Sequence, residues 1–534
     1  MQKKFEEHSD FNLSEINKQV LEEWDKNHAS ERSVSEHEGF PHFTFYEGPP
    51  SANGHPGIHH VLARTIKDTI CRYKTMKGFY VPRKAGWDTH GLPVELGVEK
   101  EMGITKDDIG KTVSIEEYNA HCRSNVMKFT AEWENLSRLM GYWVDMKRPY
   151  ITYENYYIES VWWLLHNLYS QGLIYKGYTI QPYSPAAGTG LSSHELNMPG
   201  CYRDVKDTTV TAMFRMTSPL GAFKTDWGET YFMAWTTTPW TLPSNTALCV
   251  GPKIDYVLVN TFNPYTSQPI SVVMAEARIA SYFNPAGAEA AMENYEKGGK
   301  ILPYRVVAHF KGTDLEGLKY EQLFAYVNPG EGAFRVILGD YVSTEDGTGI
   351  VHIAPTFGAD DAFVAKKAGV PALQLIDKNG NKRPMVDLKG RFYKLEDLDE
   401  DFKQKHMNVD LYKTYAGRFV KNAYDDKLTD KDETLDISIC MELKASGLAF
   451  RIEKHVHNYP HCWRTDKPIL YYPLDSWFIR STARKERMFE LNKNIKWKPQ
   501  STGTGRFGKW LENLNDWNLS RSRFWGTPLP IWRT

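Results

Sequence analysis

The stretch FTFYEG-PPSANGHPG-IHHVLARTIKDTICRY, residues 43–73, decides the fold. Its first six residues predict a buried strand. PPSANGHPG can only be a loop, because proline and glycine break both regular structures. Beyond it Leu62, Ile66 and Ile70 recur every four residues, which predicts one face of a helix ending near Gly78. A short apolar run, GFYVPRKAGWD, then leads into a second loop. Strand, glycine-rich loop, helix and strand is the opening of an α/β doubly wound, Rossmann-like parallel sheet, which binds its ligand at the carboxyl ends of the strands.

Upstream, Asn12 and Ser14 predict the start of an amphipathic helix through Ile16, Val20, Leu21 and Trp24. Downstream, a helix is predicted over 151–172. Past residue 200 the texture turns to short β-rich runs: TTVTAMFRM, TYFMAWTTT, DYVLVNTF, SVVMA, RVVAHF, FRVILGDYV and GIVHIAP. Charged helical sequence follows over 390–450, and α/β texture returns from 466. The division expected is 1–200 for the first half of the nucleotide-binding domain, 201–400 for a β-rich insert, 401–465 for a connecting return and 466–534 for the rest.

Composition narrows the class. Lys+Arg 65 nearly cancels Asp+Glu 66, so overall charge does not announce a nucleic-acid binder, and any RNA contact must come from local patches. The six cysteines form no C-x-x-C pair, which suits a reducing cytoplasm. The polar start MQKKFEEHSDF does not read as a signal peptide, and no apolar run is long enough to span a bilayer.

The loop before the helix has a chemistry of its own. A helix N-terminus presents unpaired N–H groups and the positive dipole end, and His59 and His60 in the first turn add donors suited to a polyphosphate. A plain connector with exposed histidines is the other reading of the same residues.

Further motifs separate the two. EGPPSANG with its downstream histidines, followed by GWDTHGLPVE, resembles the class I aminoacyl-tRNA synthetases, in the branch for isoleucine, valine and leucine. WDTHGLP is closest to the isoleucine members. The resemblance implies ATP at Pro50, Asn53, Gly54, Gly57, His59 and His60, the last three also serving catalysis. It implies that Asp88 receives the substrate's α-amino group, as a dehydrated ammonium requires a carboxylate. Gly48 and Pro49 would lie against the substrate. LDSWFIR and NDWNLSRSRFWGTPLPIW are similar to the segments that return to the synthetic domain, so Trp477 and Trp517 would wall an apolar side-chain slot. With sixteen tryptophans in the chain, a core role is the ordinary reading for each alone.

One signature departs from the family. His-x-Gly-His is replaced by Gly57-Ile58-His59-His60, with the first and third positions exchanged. A side chain at His59 should crowd the nucleotide surface or be turned away, and His55 offers a replacement donor. A reshaped pocket is implied, to which inhibitors bridging the amino-acid and ATP subsites bind poorly; an inactive relic is the alternative.

An apolar slot cannot strongly reject a substrate one methylene smaller, a limit for which isoleucine against valine is the standard illustration. A second, hydrolytic site answers it. WTTTPWTLPSN, residues 235–245, and GTGIVHIAP with GADD, residues 347–361, resemble the inserted editing domain of this branch. The editing residues implied are Thr236, Thr237, Thr238, Trp240, His352 and Asp361. Threonine hydroxyls suit a ribose and a water, and Asp361 suits the ammonium of a misattached amino acid. β-propensity explains a threonine run and a turn explains Asp-Asp when each stands alone.

Branch members hold zinc in paired cysteine knuckles. Here Ser184 and Ala187 stand at two such positions, and Cys462 is followed by Thr465, so no zinc is expected. The Lys-Met-Ser-Lys-Ser loop and an anticodon-binding domain are not in these residues, so the resemblance covers about half of a parent enzyme. The implied function is activation of isoleucine with ATP and Mg²⁺, ligation to tRNA(Ile) and hydrolysis of valyl-tRNA(Ile), by a cytoplasmic monomer without membrane contact. Valine or leucine chemistry and a stand-alone tRNA deacylase are the alternatives.

Overall fold

The structure, a computed structural model, describes residues 11–532 apart from 47, 219–220, 297, 300 and 430. The polar start therefore lies outside the described residues up to 10, as does Glu47 of the first motif. Two compact units emerge. Residues up to 175 with 479–516 and 523–534 make the first; residues 176–478 with 517–522 make the second. Both parallel and antiparallel strands are present, in a mixed α/β fold.

In the first unit, helix Leu13–Lys26 starts where Asn12 predicts it. The Asn12 side chain accepts from the N–H groups of Ser14 and Glu15, a cap worth about 1 kcal/mol. Helix Ile58–Met76 follows the glycine-rich loop, and strand Lys84–Trp87 pairs in parallel with Asp145–Ile151. Helix Asn155–Ser170 fills the span expected over 151–172.

Two expectations are corrected here. Residues 43–46 form no strand: the backbone makes a single parallel bridge, His42 to Tyr80, with the Phe43 N–H donating to the Tyr80 carbonyl. Extended backbone bridged to a neighbour at one point only does not become a ladder. On helix Ile58–Met76, the row Leu62, Ile66 and Ile70 is exposed, and the buried positions are Arg64, Cys71 and Thr75. The Arg64 guanidinium stacks 4.7 Å from the Trp133 ring centroid and donates to Ser137 Oγ, which satisfies a buried cation.

The second unit realises every β-rich run. A six-stranded sheet runs in the order Arg305–Lys311, Asp255–Phe262, Pro269–Ala275, Glu229–Thr236, Tyr202–Arg215, Ala449–Pro460. Its pairs are antiparallel except Glu229–Thr236 with Pro269–Ala275. A three-stranded sheet joins Arg335–Leu338, Ala247–Val250 and Ile350–Ile353. Phe214, Phe232, Trp240, Tyr320 and Tyr326 anchor the main core. The span 390–450 is only partly helical, with Glu400–His406 and Leu435–Ala445 as its longer helices. All six cysteines are buried and unpaired. Among the described residues no helix is long and apolar enough to cross a membrane, and no group of three or more His, Cys, Asp or Glu stands ready to hold a metal.

Candidate functional site

The loop of residues 48–57 is pinned from behind. Asp88 N–H donates to the Pro50 carbonyl at 2.9 Å, Phe129 N–H to Ala52, and the Trp133 indole to Gly54. Ser51 Oγ donates to the Asn53 side chain. Gly48, Pro49 and Pro50 line a cavity of about 60 Å³ with Trp87 and Arg64.

The exchanged histidine signature has a geometric logic. A Cβ on Gly57 would sit 2.8 Å from His59 Cε1, so the bare backbone at 57 is where the His59 imidazole folds back. The His59 and His60 rings lie 3.8 Å apart, and His60 packs edge-on to Trp133. Gly57 N–H donates to His60 Nδ1 at 2.9 Å. Burial, with the neighbouring His59 and Arg64 charges, holds His60 below the usual histidine range. His55 is engaged elsewhere: its Nδ1 lies 2.7 Å from Glu132 and its ring rests on Phe129.

Asp88 stands beside this loop, its carboxyl pushed up by burial against the pull of the His90 N–H. His90 is pushed down to about 4 by burial and by the Arg123 charge, and meets Trp525 edge-on. Sequence reading missed what holds this corner. The Trp525 indole donates to the Thr89 carbonyl at 2.6 Å, and the Phe524 and Trp525 N–H groups donate to Glu95. Arg523 is buried between Glu95, at 2.9 Å, and Glu99.

Trp477 and Trp517 belong to the second unit and lie on neighbouring strands. Trp477 N–H donates to Ser520 Oγ and its carbonyl accepts from Leu519. Trp477 is half-buried, and Trp517 is exposed.

The threonine row and the 347–361 segment, over a hundred residues apart in sequence, converge in the second unit. Thr238 N–H donates to Thr236 Oγ1 at 3.1 Å, and the Thr236, Thr238 and Thr241 hydroxyls succeed one another at 3.4 and 3.5 Å. Thr241 Oγ1 lies 3.1 Å from His352 Nε2. Full burial pushes His352 down to about 4, so its ring is neutral and Thr241 sets its orientation. Thr237 is half-buried within the row. The Trp240 indole is a core group, edge-on to Phe357.

Asp361 opens helix Ala359–Ala368 and folds its Oδ2 back to accept the Ala354 N–H at 2.9 Å. Gly358 makes that fold possible, since a Cβ there would lie 2.7 Å from the carboxylate carbon. Burial pushes Asp361 up to about 6. Burial penalises the charged form of this carboxylate, and the Ala354 N–H is the bond that opposes it.

A protein of Bacteroides fragilis named Isoleucine--tRNA ligase is 72% identical over 534 residues, all of this chain and 47% of the relative. One from Porphyromonas gingivalis with the same name is 67% identical, again over 100% of this chain and 47% of its own length. The chain thus spans about half the length of the curated relatives it matches. A ternary complex of Agrobacterium radiobacter K84 LeuRS with tRNA and LeuAMS superposes only loosely, with TM-score 0.30 and 14% identity over 84% of this chain and 49% of that one. The family model described as tRNA synthetases class I (I, L, M and V) matches residues 19–534, and the chain belongs to that family.

Proposed function

We propose that the complete protein activates isoleucine with ATP, transfers it to tRNA(Ile), and hydrolyses valyl-tRNA(Ile) at a second site. The observation that carries this is the 72% identity along the whole chain to a protein named Isoleucine--tRNA ligase. In this reading the nucleotide, bound as its Mg²⁺ complex, meets Pro50, Asn53, Gly54, Gly57, His59 and His60. Asp88 pairs with the α-ammonium of isoleucine, Gly48 and Pro49 back the substrate, and Trp477 and Trp517 wall its side chain. The anion-stabilising charge comes from the N-terminus of helix Ile58–Met76 and its histidines.

Hydrolysis is assigned to the Thr236–Thr237–Thr238 row, with Trp240 behind it, His352 beside it and Asp361 as ammonium receptor. The domain reading is that 1–200 and 466–534 build the synthetic domain, 201–400 the editing insert and 401–465 the return between them. A cytoplasmic monomer completes the proposal. ATP–pyrophosphate exchange with isoleucine, valine and leucine tests it: isoleucine should be preferred, and equal exchange with leucine would sink it.

The close approach of Gly57 and His59 gives a second test. Gly57→Ala drives a methyl into the His59 ring and should slow exchange about tenfold, in line with the steep cost of misplacing a catalytic group. The double change Gly57→Ala/His59→Gly removes the collision but also the His59 donor, so it should recover only part of the rate. Equal rates for Gly57→Ala and the unaltered protein would show that the His59 position is immaterial.

A further inference from the structure

The threonine row is the start of a short helix, Pro239–Ser244, with Thr238 in the N-cap position. A threonine there ordinarily turns its hydroxyl onto the N–H groups of the first turn. Thr238 does not: its side chain makes no cap bond. The Trp240 N–H, which needs an acceptor, donates instead to Asp436 Oδ1 at 2.9 Å, 196 residues along the chain.

Asp436 is buried at 3% exposure in the first turn of helix Leu435–Ala445, whose dipole favours a carboxylate at that end. Its other oxygen lies 3.7 Å from Lys421 Nζ. Lys421 in turn bonds Asp207 at 2.7 Å, and His457 Nε2 meets the same Asp207 oxygen at 3.1 Å. The lysine also lies over the Tyr459 ring. A carboxylate from a distant helix, neutralised by a lysine held from the strand behind it, thus takes over a cap that the row would otherwise supply itself.

We propose that Asp436 is a positioning residue for hydrolysis: by capping Trp240 it releases the Thr238 hydroxyl to stand between Thr236 and Thr241. Lys421 keeps Asp436 aimed and compensated. This rests on the hydrolytic reading of the row. When Asp436 is lost, Thr238 turns onto the vacated Trp240 N–H and leaves the row.

Single-turnover deacylation of valyl-tRNA(Ile) by the complete protein tests this. Asp436→Ala should lower kcat about 10- to 100-fold with KM held within about twofold, the cost of a group displaced by an ångström or so. Asp436→Asn keeps an acceptor oxygen for Trp240 and should stay within about threefold of the unaltered kcat, although it loses the charge opposite Lys421 and melts lower. Rate and stability then separate, which a merely structural role does not allow. Because Asp436→Ala leaves Lys421 facing fewer charges, the pair Asp436→Leu/Lys421→Met is the companion variant: it fills the space with apolar groups, an exchange that buried ion pairs tolerate. It should fold and be as slow as Asp436→Ala. Unaltered kcat in that folded double variant, with Asp361→Ala inactive, would overturn the positioning role alone. Absence of hydrolysis in the unaltered protein would sink the hydrolytic reading and this proposal together.

Discussion

Asp361→Ala is expected to abolish hydrolysis of valyl-tRNA(Ile) by the complete protein while leaving it folded. The side chain makes one bond that shapes the backbone, to the Ala354 N–H, and its remaining acceptor capacity is what an ammonium needs. Removing one partner of a desolvated charge pair costs about 2–5 kcal/mol, which converts to a loss between about 30-fold and several thousandfold. Asp361→Asn separates shape from charge: it keeps an acceptor for Ala354 and should be nearly as inactive as the alanine variant. Deacylation at normal rate in either would remove Asp361 from the site.

The position of its carboxyl, near 6, sets the pH behaviour. Below that value the group is protonated and cannot pair with the ammonium, so KM should rise as pH falls through about 6 in the unaltered protein, and not in Asp361→Asn. Stability runs the other way. The folded pKa lies above the ordinary 3.8, so the group's contribution is fullest below that value and is lost as pH rises through about 6. Asp361→Asn should therefore gain in Tm relative to the unaltered protein at pH 7.5 compared with pH 4.

How much of this was legible beforehand follows from the range of each interaction. The β-rich runs were legible because alternation and β-branching are written residue by residue, and all seven became strands. The threonine row and the 347–361 segment were legible as motifs, although their meeting through Thr241 and His352 was not. Strand Ala449–Pro460 was missed because RIEKHVHNYP carries charges and histidines on a face that stays partly wet at the sheet edge. Residues 43–46 have strand composition, yet strand formation is decided by neighbours that sequence does not display. Leu62, Ile66 and Ile70 keep helical spacing, while the side that packs is set by Arg64 finding Trp133. Asp436, Lys421 and Arg523 left no local trace: each matters through a partner hundreds of residues away or on another element.

Arg523 carries the other large expected effect. It is buried at 6% side-chain exposure between Glu95, itself at 1%, and Glu99. Burial pushes the Glu99 carboxyl up, and the guanidinium is the chief group opposing that push. Arg523→Ala should therefore destabilise the first unit by about 3–5 kcal/mol, the cost of leaving a buried charge uncompensated. Thermal melting checks the magnitude. The gap from the unaltered protein should widen as pH rises, because Glu99 in the variant keeps a folded pKa above its unfolded one and is penalised once it must ionise. Arg523→Lys supplies charge without the planar fork that serves two carboxylates at once, and should recover only part of the loss. Function should fall with stability for a local reason. The neighbouring Phe524 and Trp525 N–H groups hang on Glu95, and the Trp525 indole holds the Thr89 carbonyl next to Asp88. Once Glu95 turns away, the Asp88 carboxylate loses its fixed aim, and isoleucine-dependent pyrophosphate exchange should drop with a raised KM for isoleucine and little change in KM for ATP. Equal losses in both KM values would mean that Arg523 supports the whole domain and not this corner.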